Sequence, residues 1–210
     1  ALLGSNMAID FSRISDPDRP TTRKTRYRAD GQQVLRVDEE LTAPVSQALQ
    51  DQLFGEVCSQ LESAQAIILS DYAKGCMPVP LMQNIIKAAK DAGKPVIADP
   101  KLADFSSYAG VDLLTPNLAE LRTATALSDD TLDSIAAAAG GLAAANDIGA
   151  ILATLSARGM LLAHGDGNWT HAPAEARAVF DVSGAGDTVV AMLAACIAAG
   201  IRHEDALSLA

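Results

Sequence analysis

Aromatic residues and cysteines are scarce in this chain of 210 residues. Phe, Trp and Tyr together account for 4% of the sequence, and the three cysteines are widely spaced and odd in number. That spacing indicates neither a disulfide framework nor a zinc knuckle. No apolar run approaches the roughly 18 residues that a membrane span needs, so we expect no membrane partner.

Positive charge is also in short supply. The 16 Lys and Arg residues stand against 26 Asp and Glu residues, which gives a formal net charge of −10. This acidic balance disfavours nonspecific nucleic-acid binding, which normally needs a basic face, so we expect no nucleic-acid partner. Hydrophobic residues reach 49%, which excludes wholesale disorder and fits a single domain with one sizeable core over residues 1–210.

Short apolar runs alternate with helical patterns from residue 66 onwards. The predicted strands are residues 66–69, 95–98, 112–115 and 150–155, followed by a predicted hairpin over residues 160–163 and 169–171. The predicted helices are residues 79–92, a helix through Leu118 and Leu121, residues 132–145, residues 184–199, and a last one in progress at residues 205–210. This alternation implies an α/β fold with a mostly parallel sheet and right-handed crossovers.

Residues 21–40 depart from this pattern because they are polar and β-prone. Two runs of rough alternation flank a predicted turn at residues 29–31, so we expect a two-stranded excursion with one face outside the main core. Lys24, Arg26 and Arg36 form a basic cluster on it. The cluster is suited to binding an anion through the bidentate fork of arginine. Equally, it fits alternating solvent-facing charges that discourage aggregation of an edge strand.

Four predicted strands end in polar clusters, and ligands of open α/β sheets bind outside the carboxyl ends of the strands. The residues of chemical interest are Asp71, Tyr72 and Lys74 in the first cluster, Lys101 in the second, Asn117 and Glu120 in the third, and Thr154, Ser156 and Gly159 in the fourth. Each cluster alone fits turn formers and helix caps, and Asn117 with Glu120 also fits a capping box. Four clusters on one edge favour a binding site.

The segment Asp181-Val182-Ser183-Gly184-Ala185-Gly186-Asp187-Thr188 precedes the last long predicted helix. Two glycines at a helix start let backbone N–H groups converge on an anion, and the helix N-terminus adds partial positive charge. Asp187 in the first turn could take a proton from an attacking hydroxyl. The alternative is a plain cap in which Asp187 offsets the helix dipole, and the residues alone leave both interpretations open.

Residues 183–188, preceded by Asp181, resemble the second signature of the ribokinase (PfkB) family of sugar kinases. Asn117-Leu118-Ala119-Glu120 is similar to the Asn-x-x-Glu motif of that family. The stretches that resemble its heptose kinases are residues 19–26, 32–40, 69–75, 99–101, 113–117 and 154–160. The resemblance implies a ribokinase-like three-layer α/β sandwich with a mostly parallel central sheet, and a small β lid to which about residues 19–40 contribute.

Two parts of the family pattern have no counterpart in this sequence. These are the glycine-rich sugar motif near the N-terminus and the helices that complete the adenine pocket after the position of residue 210. We therefore expect residues 1–210 to form part of a longer kinase domain.

The resemblance also implies a reaction. It is the ATP- and Mg²⁺-dependent phosphorylation of D-glycero-D-manno-heptose 7-phosphate at the carbon-1 hydroxyl, in the cytoplasm, for the synthesis of ADP-heptose and surface polysaccharide. Asp187 would be the general base, and the backbone around Gly184, Ala185 and Gly186 would hold the γ-phosphoryl oxygens. Asn117 and Glu120 would orient Mg²⁺ through water.

The remaining roles implied by the resemblance divide between the two substrates. The residues that would bind the nucleotide phosphates are Lys101, Thr154, Ser156 and Gly159. The residues that would bind the sugar phosphate are Lys24, Arg26, Arg36, Asp71, Tyr72 and Lys74. The lid would also pair two subunits into a homodimer.

Two alternatives stay open at the level of sequence. One is another sugar kinase of the same family, acting on ribose, fructose or a fructose phosphate, and the lid motif around Arg26 and Arg36 favours the heptose phosphate over these. The other is a noncatalytic module that binds a nucleotide or a sugar phosphate. The presence of Asp187, Asn117 and Glu120 together disfavours it.

Overall fold

The apolar runs form a six-stranded sheet in the computed structural model, which describes residues 12–29, 32–174, 184–207 and 209. Its strands, in order across the sheet, are β3 (Ile67–Ser70), β4 (Val96–Asp99), β5 (Leu113–Leu114), β6 (Ala150–Thr154), β7 (Met160–His164) and β8 (Trp169–Ala172). Strands β3 to β6 are parallel, and β7 and β8 add an antiparallel hairpin. The predicted mostly parallel sheet and the hairpin are confirmed.

Helices cover both faces of this sheet. They are α1 (Gln47–Gln60), α2 (Val79–Asp91), α3 (Leu118–Thr125), α4 (Leu132–Ala145), α5 (Ala185–Ala198) and α6 (His203–Leu207). Helices α2 and α4 pack on one face and α5 and α6 on the other. Because side chains alternate across a strand, neighbours such as Leu113 and Leu114 enter different cores. The three-layer sandwich is confirmed.

Two helices differ from the sequence prediction. Helix α1 has no counterpart in the prediction because none of its residues is fully buried, so its sequence lacks a clear apolar stripe. Helix α6 was expected at residues 205–210, but it occupies His203–Leu207 and Leu209 already lies in a turn. The predicted bounds of this helix were wrong.

The excursion near the start of the chain is an antiparallel ribbon, here called the lid, made of β1 (Arg23–Ala29) and β2 (Gln32–Glu39). A bulge between Tyr27 and Arg28 shifts its register. Of the predicted turn, Ala29 belongs to β1, and residues 30 and 31 lie outside the described residues. The two-stranded excursion itself is confirmed.

One arginine fastens the base of the lid to the sheet. The Arg19 guanidinium donates hydrogen bonds to the carbonyl oxygens of Leu41 and Lys74, each at 2.8 Å, and to that of Ala43. These acceptors belong to the segment after the lid and to the loop after β3. The side chain of Arg19 is 13% exposed, so these bonds are partly shielded from water.

Two adjacent glycines of α4 test how this helix packs on the sheet. A Cβ at Gly140 would lie 2.8 Å from the His164 carbonyl oxygen, whereas a Cβ at Gly141 would meet nothing within 4 Å. We expect Gly141→Ala to raise the free energy of unfolding by about 0.5–1 kcal/mol through its helix propensity. Gly140→Ala should lower it by about 1–3 kcal/mol through the clash. Urea unfolding followed by circular dichroism measures both, and equal effects would contradict this packing.

Candidate active site

The carboxyl ends of the parallel strands bring two predicted nucleotide residues side by side. Asn117, just after β5, forms a parallel bridge with Thr154 at the end of β6. The Thr154 N–H donates to the Pro116 carbonyl oxygen at 2.9 Å. Residues 37 positions apart in the chain thus share one edge of the sheet, as expected for parallel strands.

Asn117 and Glu120 form a capping box at the start of α3. The Glu120 N–H donates to Asn117 Oδ1 and the Asn117 N–H donates to Glu120 Oε2, both at 2.9 Å. This arrangement satisfies two backbone donors at the helix start and orients both side chains. Each oxygen keeps a free lone pair, so the capping role is compatible with accepting a further hydrogen bond from a metal-bound water.

Lys101 joins this box to the strand before it. Its Nζ lies 3.0 Å from Glu120 Oε1 and 3.1 Å from Asp99 Oδ1. Burial acts to lower the pKa of Lys101, but its hydrogen bonds to Glu120 and Asp99 outweigh burial, so the pKa is raised. Lys101 therefore keeps its positive charge at this edge of the sheet. Phosphate oxygens could take the place of the Glu120 and Asp99 carboxylates as its partners.

Asp99 was not among the predicted site residues, although it lies two residues before Lys101 in the same polar cluster. Burial raises the pKa of Asp99, and the Glu120 and Asp187 carboxylates act in the same direction, against the influence of Lys101. Helix α5 contacts β3 and β4, and Asp187 at its start is near enough to Asp99 to act on the pKa of Asp99.

The start of α5 is open and exposed. Gly184 adopts a left-handed conformation with φ of +84°, and a Cβ at Gly184 or Gly186 would meet no atom of the described residues within 4 Å. The Thr188 N–H makes the first intrahelical bond, to the Gly184 carbonyl oxygen at 2.9 Å, so the N–H groups of residues 185–187 have no carbonyl partner within α5. Asp187 lies exposed in the first turn rather than packed in the core. Asp181 and Ser183 lie outside the described residues.

The loop after β6 shows why Gly159 is a glycine. Its φ is +86°, and a Cβ there would lie 2.6 Å from the Ala174 backbone nitrogen. The close approach predicted at Gly159 is thus an approach to the chain's own backbone. Ser156 is exposed with a left-handed φ of +55°. A contact of either residue with a nucleotide stays a prediction.

The loop after β3 contains both a buried and an exposed predicted residue. Asp71 is 3% exposed; its Oδ1 accepts from the Ala73 N–H at 2.8 Å, and its Oδ2 accepts from the Tyr108 hydroxyl at 3.0 Å. Tyr72 is 56% exposed. Tyr108 was missed by the sequence analysis because a single tyrosine outside any motif gives no local signal.

The basic cluster of the lid faces this same loop. Lys24 Nζ lies 3.3 Å from Asp38 and 3.7 Å from Glu40, and Glu40 in turn pairs with Lys74 Nζ at 2.6 Å. This series of ion pairs connects one face of the lid to the loop after β3.

Arg26 and Arg36 lie directly opposite each other on that face. Arg36 Nε pairs with Asp38 at 3.1 Å, whereas Arg26 makes no ion pair with any residue that the structure describes. Two like charges in a directly opposed pair destabilise a ribbon unless an anion lies between them. The three predicted residues of the basic cluster thus share one face of the lid, and their contact with an anion stays a prediction.

No group of three or more His, Cys, Asp or Glu side chains within the described ranges is placed to hold a metal ion directly. The oxygens of Asn117 and Glu120 fit a hydrated Mg²⁺, which usually keeps several of its waters. No helix among the described residues has both the length and the apolar character to cross a membrane.

Comparison with known proteins agrees with this geometry. The profile described as pfkB family carbohydrate kinase matches residues 5–210. The Bifunctional protein HldE of Paramagnetospirillum magneticum is 46% identical over 209 residues, and that of Rhodospirillum rubrum is 45% identical over 209 residues. These matches cover 100% of this chain but only 43% and 42% of the relatives, so the chain spans less than half of their length.

Solved structures show the same fold. Arabidopsis thaliana ribokinase complexed with ribose and ATP has a TM-score of 0.72 at 23% identity, over 90% of this chain and 60% of that one. Escherichia coli phosphofructokinase-2 has a TM-score of 0.73 at 20% identity, over 90% and 61%. The ribokinase-like fold is confirmed, and the match over residues 5–210 shows that this chain belongs to the pfkB family of carbohydrate kinases.

Proposed function

We propose that this chain contributes the site of an ATP-dependent kinase that phosphorylates the carbon-1 hydroxyl of D-glycero-D-manno-heptose 7-phosphate. The single observation that carries the proposal is Asp187, exposed beside backbone N–H groups that have no carbonyl partner within α5, and close enough to Asp99 to influence its pKa. Membership of the pfkB family and the similarity to HldE proteins support it. ATP is abundant in the cytoplasm, where we place the reaction.

Asp187 acts as the general base in this proposal. It accepts the proton of the carbon-1 hydroxyl while that oxygen bonds to the γ-phosphorus; the bond from the γ-phosphorus to the bridging oxygen breaks and ADP leaves. The N–H groups of Ala185, Gly186 and Asp187 donate to the γ-phosphoryl oxygens as charge develops on them. The left-handed Gly184 lets the chain enter the helix without a Cβ near the phosphoryl group.

The nucleotide lies, in this proposal, along the edge formed by the ends of β4, β5 and β6. Lys101 exchanges its carboxylate partners for phosphate oxygens, and Thr154, Ser156 and Gly159 border the phosphates. Asn117 and Glu120 hold the waters of Mg²⁺. When bound, the metal ion neutralises charge on the β- and γ-phosphates.

The acceptor lies between the lid and the loop after β3. Arg26 and Arg36 bind its 7-phosphate, since two opposed guanidiniums offer paired donors to an anion. Lys24 and Lys74 lie beside them but are already paired with Asp38 and Glu40. Asp71 and Tyr72 border the sugar.

The lid also supports a homodimer. Tyr27, Leu35 and Val37 lie on its other face and are 54%, 53% and 40% exposed. An isolated two-stranded ribbon is marginally stable in water unless its apolar face is covered. A second copy of the lid would cover this face with a matching one.

Replacing the proposed base tests the mechanism. In the natural protein that carries this sequence, we expect Asp187→Asn to lower kcat by about 10²- to 10⁴-fold with heptose 7-phosphate, because the amide cannot take the proton. Nucleotide binding measured by calorimetry should be retained. Asp133→Asn is the matched control, since Asp133 also lies in the first turn of a helix, α4, which packs on the other face of the sheet. Full activity in Asp187→Asn would exclude general-base catalysis by this residue.

Removing the Arg26 guanidinium tests the choice of acceptor. We expect Arg26→Gln to raise KM for heptose 7-phosphate by about 10- to 100-fold, the loss of one charge-assisted hydrogen bond, and to leave KM for ATP unchanged. Arg23→Gln is the control, because Arg23 lies on the opposite face of β1 and pairs with Glu39. If ribose or fructose 6-phosphate is the better acceptor of the unaltered protein, the heptose assignment is wrong.

Sedimentation measures the oligomeric state and so tests the proposed dimerisation through the lid. We expect the natural protein to sediment as a dimer and Leu35→Glu to sediment as a monomer, because a carboxylate cannot be buried between two apolar faces without a partner. Val79→Glu changes an exposed apolar residue at the start of α2, outside the lid, and should leave the dimer intact. A monomeric natural protein at tens of micromolar would rule out pairing through the lid.

A further inference from the structure

The hydroxyl of Tyr108 is a fully bonded group buried between two loops of the candidate site. Tyr108 is 0% exposed. Its hydroxyl donates to Asp71 Oδ2 at 3.0 Å and accepts from the backbone N–H groups of Lys101 and Leu102 at 3.0 and 3.2 Å. One donated and two accepted bonds satisfy the whole hydrogen-bonding capacity of a phenol.

Each of these bonds ends in a different part of the site. Asp71 begins the loop after β3, here called the acceptor loop (residues 71–75), which Lys74 connects to Glu40 at the end of the lid. Lys101 and Leu102 belong to the loop after β4, here called the phosphate loop (residues 100–102), whose Lys101 ammonium lies between Asp99 and Glu120. The Tyr108 hydroxyl is therefore a direct link between the acceptor loop and the phosphate loop.

Tyr108 is itself held rigidly. It ends a short 3₁₀ turn (Phe105–Tyr108), and its ring packs edge-on against Phe105 with centroids 6.4 Å apart. The Gln83 side chain donates to the Ser107 carbonyl oxygen at 2.7 Å, which ties the turn to α2. Burial raises the pKa of Tyr108, so the hydroxyl keeps its proton over the range in which enzymes work. The link between the loops is thus fixed from the core side.

We propose that Tyr108 is a positioning residue for phosphoryl transfer, whose hydroxyl sets the separation between the loop that borders the acceptor and the loop that borders the nucleotide phosphates. The inference rests on the proposed function. In-line transfer depends on the alignment of the hydroxyl with the γ-phosphorus, and a misplacement of about 1 Å can cost about 10²-fold in rate. Each loop can still bind its own substrate without the link, so the loss should fall on kcat rather than on KM.

The test is Tyr108→Phe in the natural protein that carries this sequence, because this change deletes one oxygen and keeps the ring. We expect kcat to fall by about 10- to 100-fold with the acceptor that the unaltered protein uses best, while KM for acceptor and for ATP each change less than about threefold. Ile135→Val is the matched control, since it removes one methyl group from the same core, at a fully buried position in α4. Its kcat should equal that of the unaltered protein.

A second variant reaches the same link without touching the phenol. Gln83→Met removes the hydrogen bond that ties the turn to α2 and preserves the length of the side chain, so it should lower kcat by about two- to fivefold at constant KM. It keeps the inference testable if Tyr108→Phe does not fold. Combining Tyr108→Phe with Asp71→Asn should give a loss smaller than the product of the two single losses, because both changes break the same bond.

The outcomes separate the two proposals. A natural protein that phosphorylates none of heptose 7-phosphate, ribose and fructose 6-phosphate overturns the proposed function, and the inference with it. Turnover by the natural protein with unchanged kcat in folded Tyr108→Phe overturns the inference alone. The inference is also overturned if Tyr108→Phe loses no more kcat than Ile135→Val does. If Tyr108→Phe does not fold, an unchanged kcat in Gln83→Met overturns it.

Discussion

The parallel pairing of β3 to β6 is the constraint on which the candidate site depends. Parallel strands place their carboxyl ends at one edge, so Asp71, Lys101, Asn117 and Thr154 meet there although they are separate in the chain. Helix α5 packs on one face of the same sheet through Val190 and the apolar residues after it. The contacts of α5 with β3 and β4 bring Asp187 to the neighbourhood of Asp99.

Negative side chains outnumber positive ones among the site residues at that edge of the sheet. Glu120 and Asp187 both raise the pKa of Asp99, and Lys101 pairs with Asp99 and Glu120. Burial of Asp99 makes its ionised form less favourable, and such perturbed carboxylates are enriched at functional sites. The arrangement is suited to a hydrated divalent cation with its phosphate ligands, because together these would supply positive charge to the carboxylates and negative charge to Lys101 and to the N-terminus of α5.

The lid and the sheet are joined by a small number of polar contacts. Arg19 bonds to carbonyl oxygens on both sides of the junction, and Lys74 pairs with Glu40. From there Asp71 and Tyr108 continue the connection to Lys101. The basic face of the lid is thus connected to the phosphate loop by charge-assisted and buried hydrogen bonds, which hold an orientation more closely than apolar contacts do.

Local patterns in the sequence predicted the strands, most helices, the lid and the capping box, since apolar period, turn residues and cap spacing are properties of neighbouring residues. They missed α1, which buries no full face, and the partners of Asp99 and Arg19. The bond from Tyr108 to Asp71 joins residues 37 apart, so no local pattern contains it. Sequence by itself determined which polar residues follow the strands and begin α5. Tertiary structure alone decided which of them meet, because contacts between distant segments exist only once the sheet has assembled.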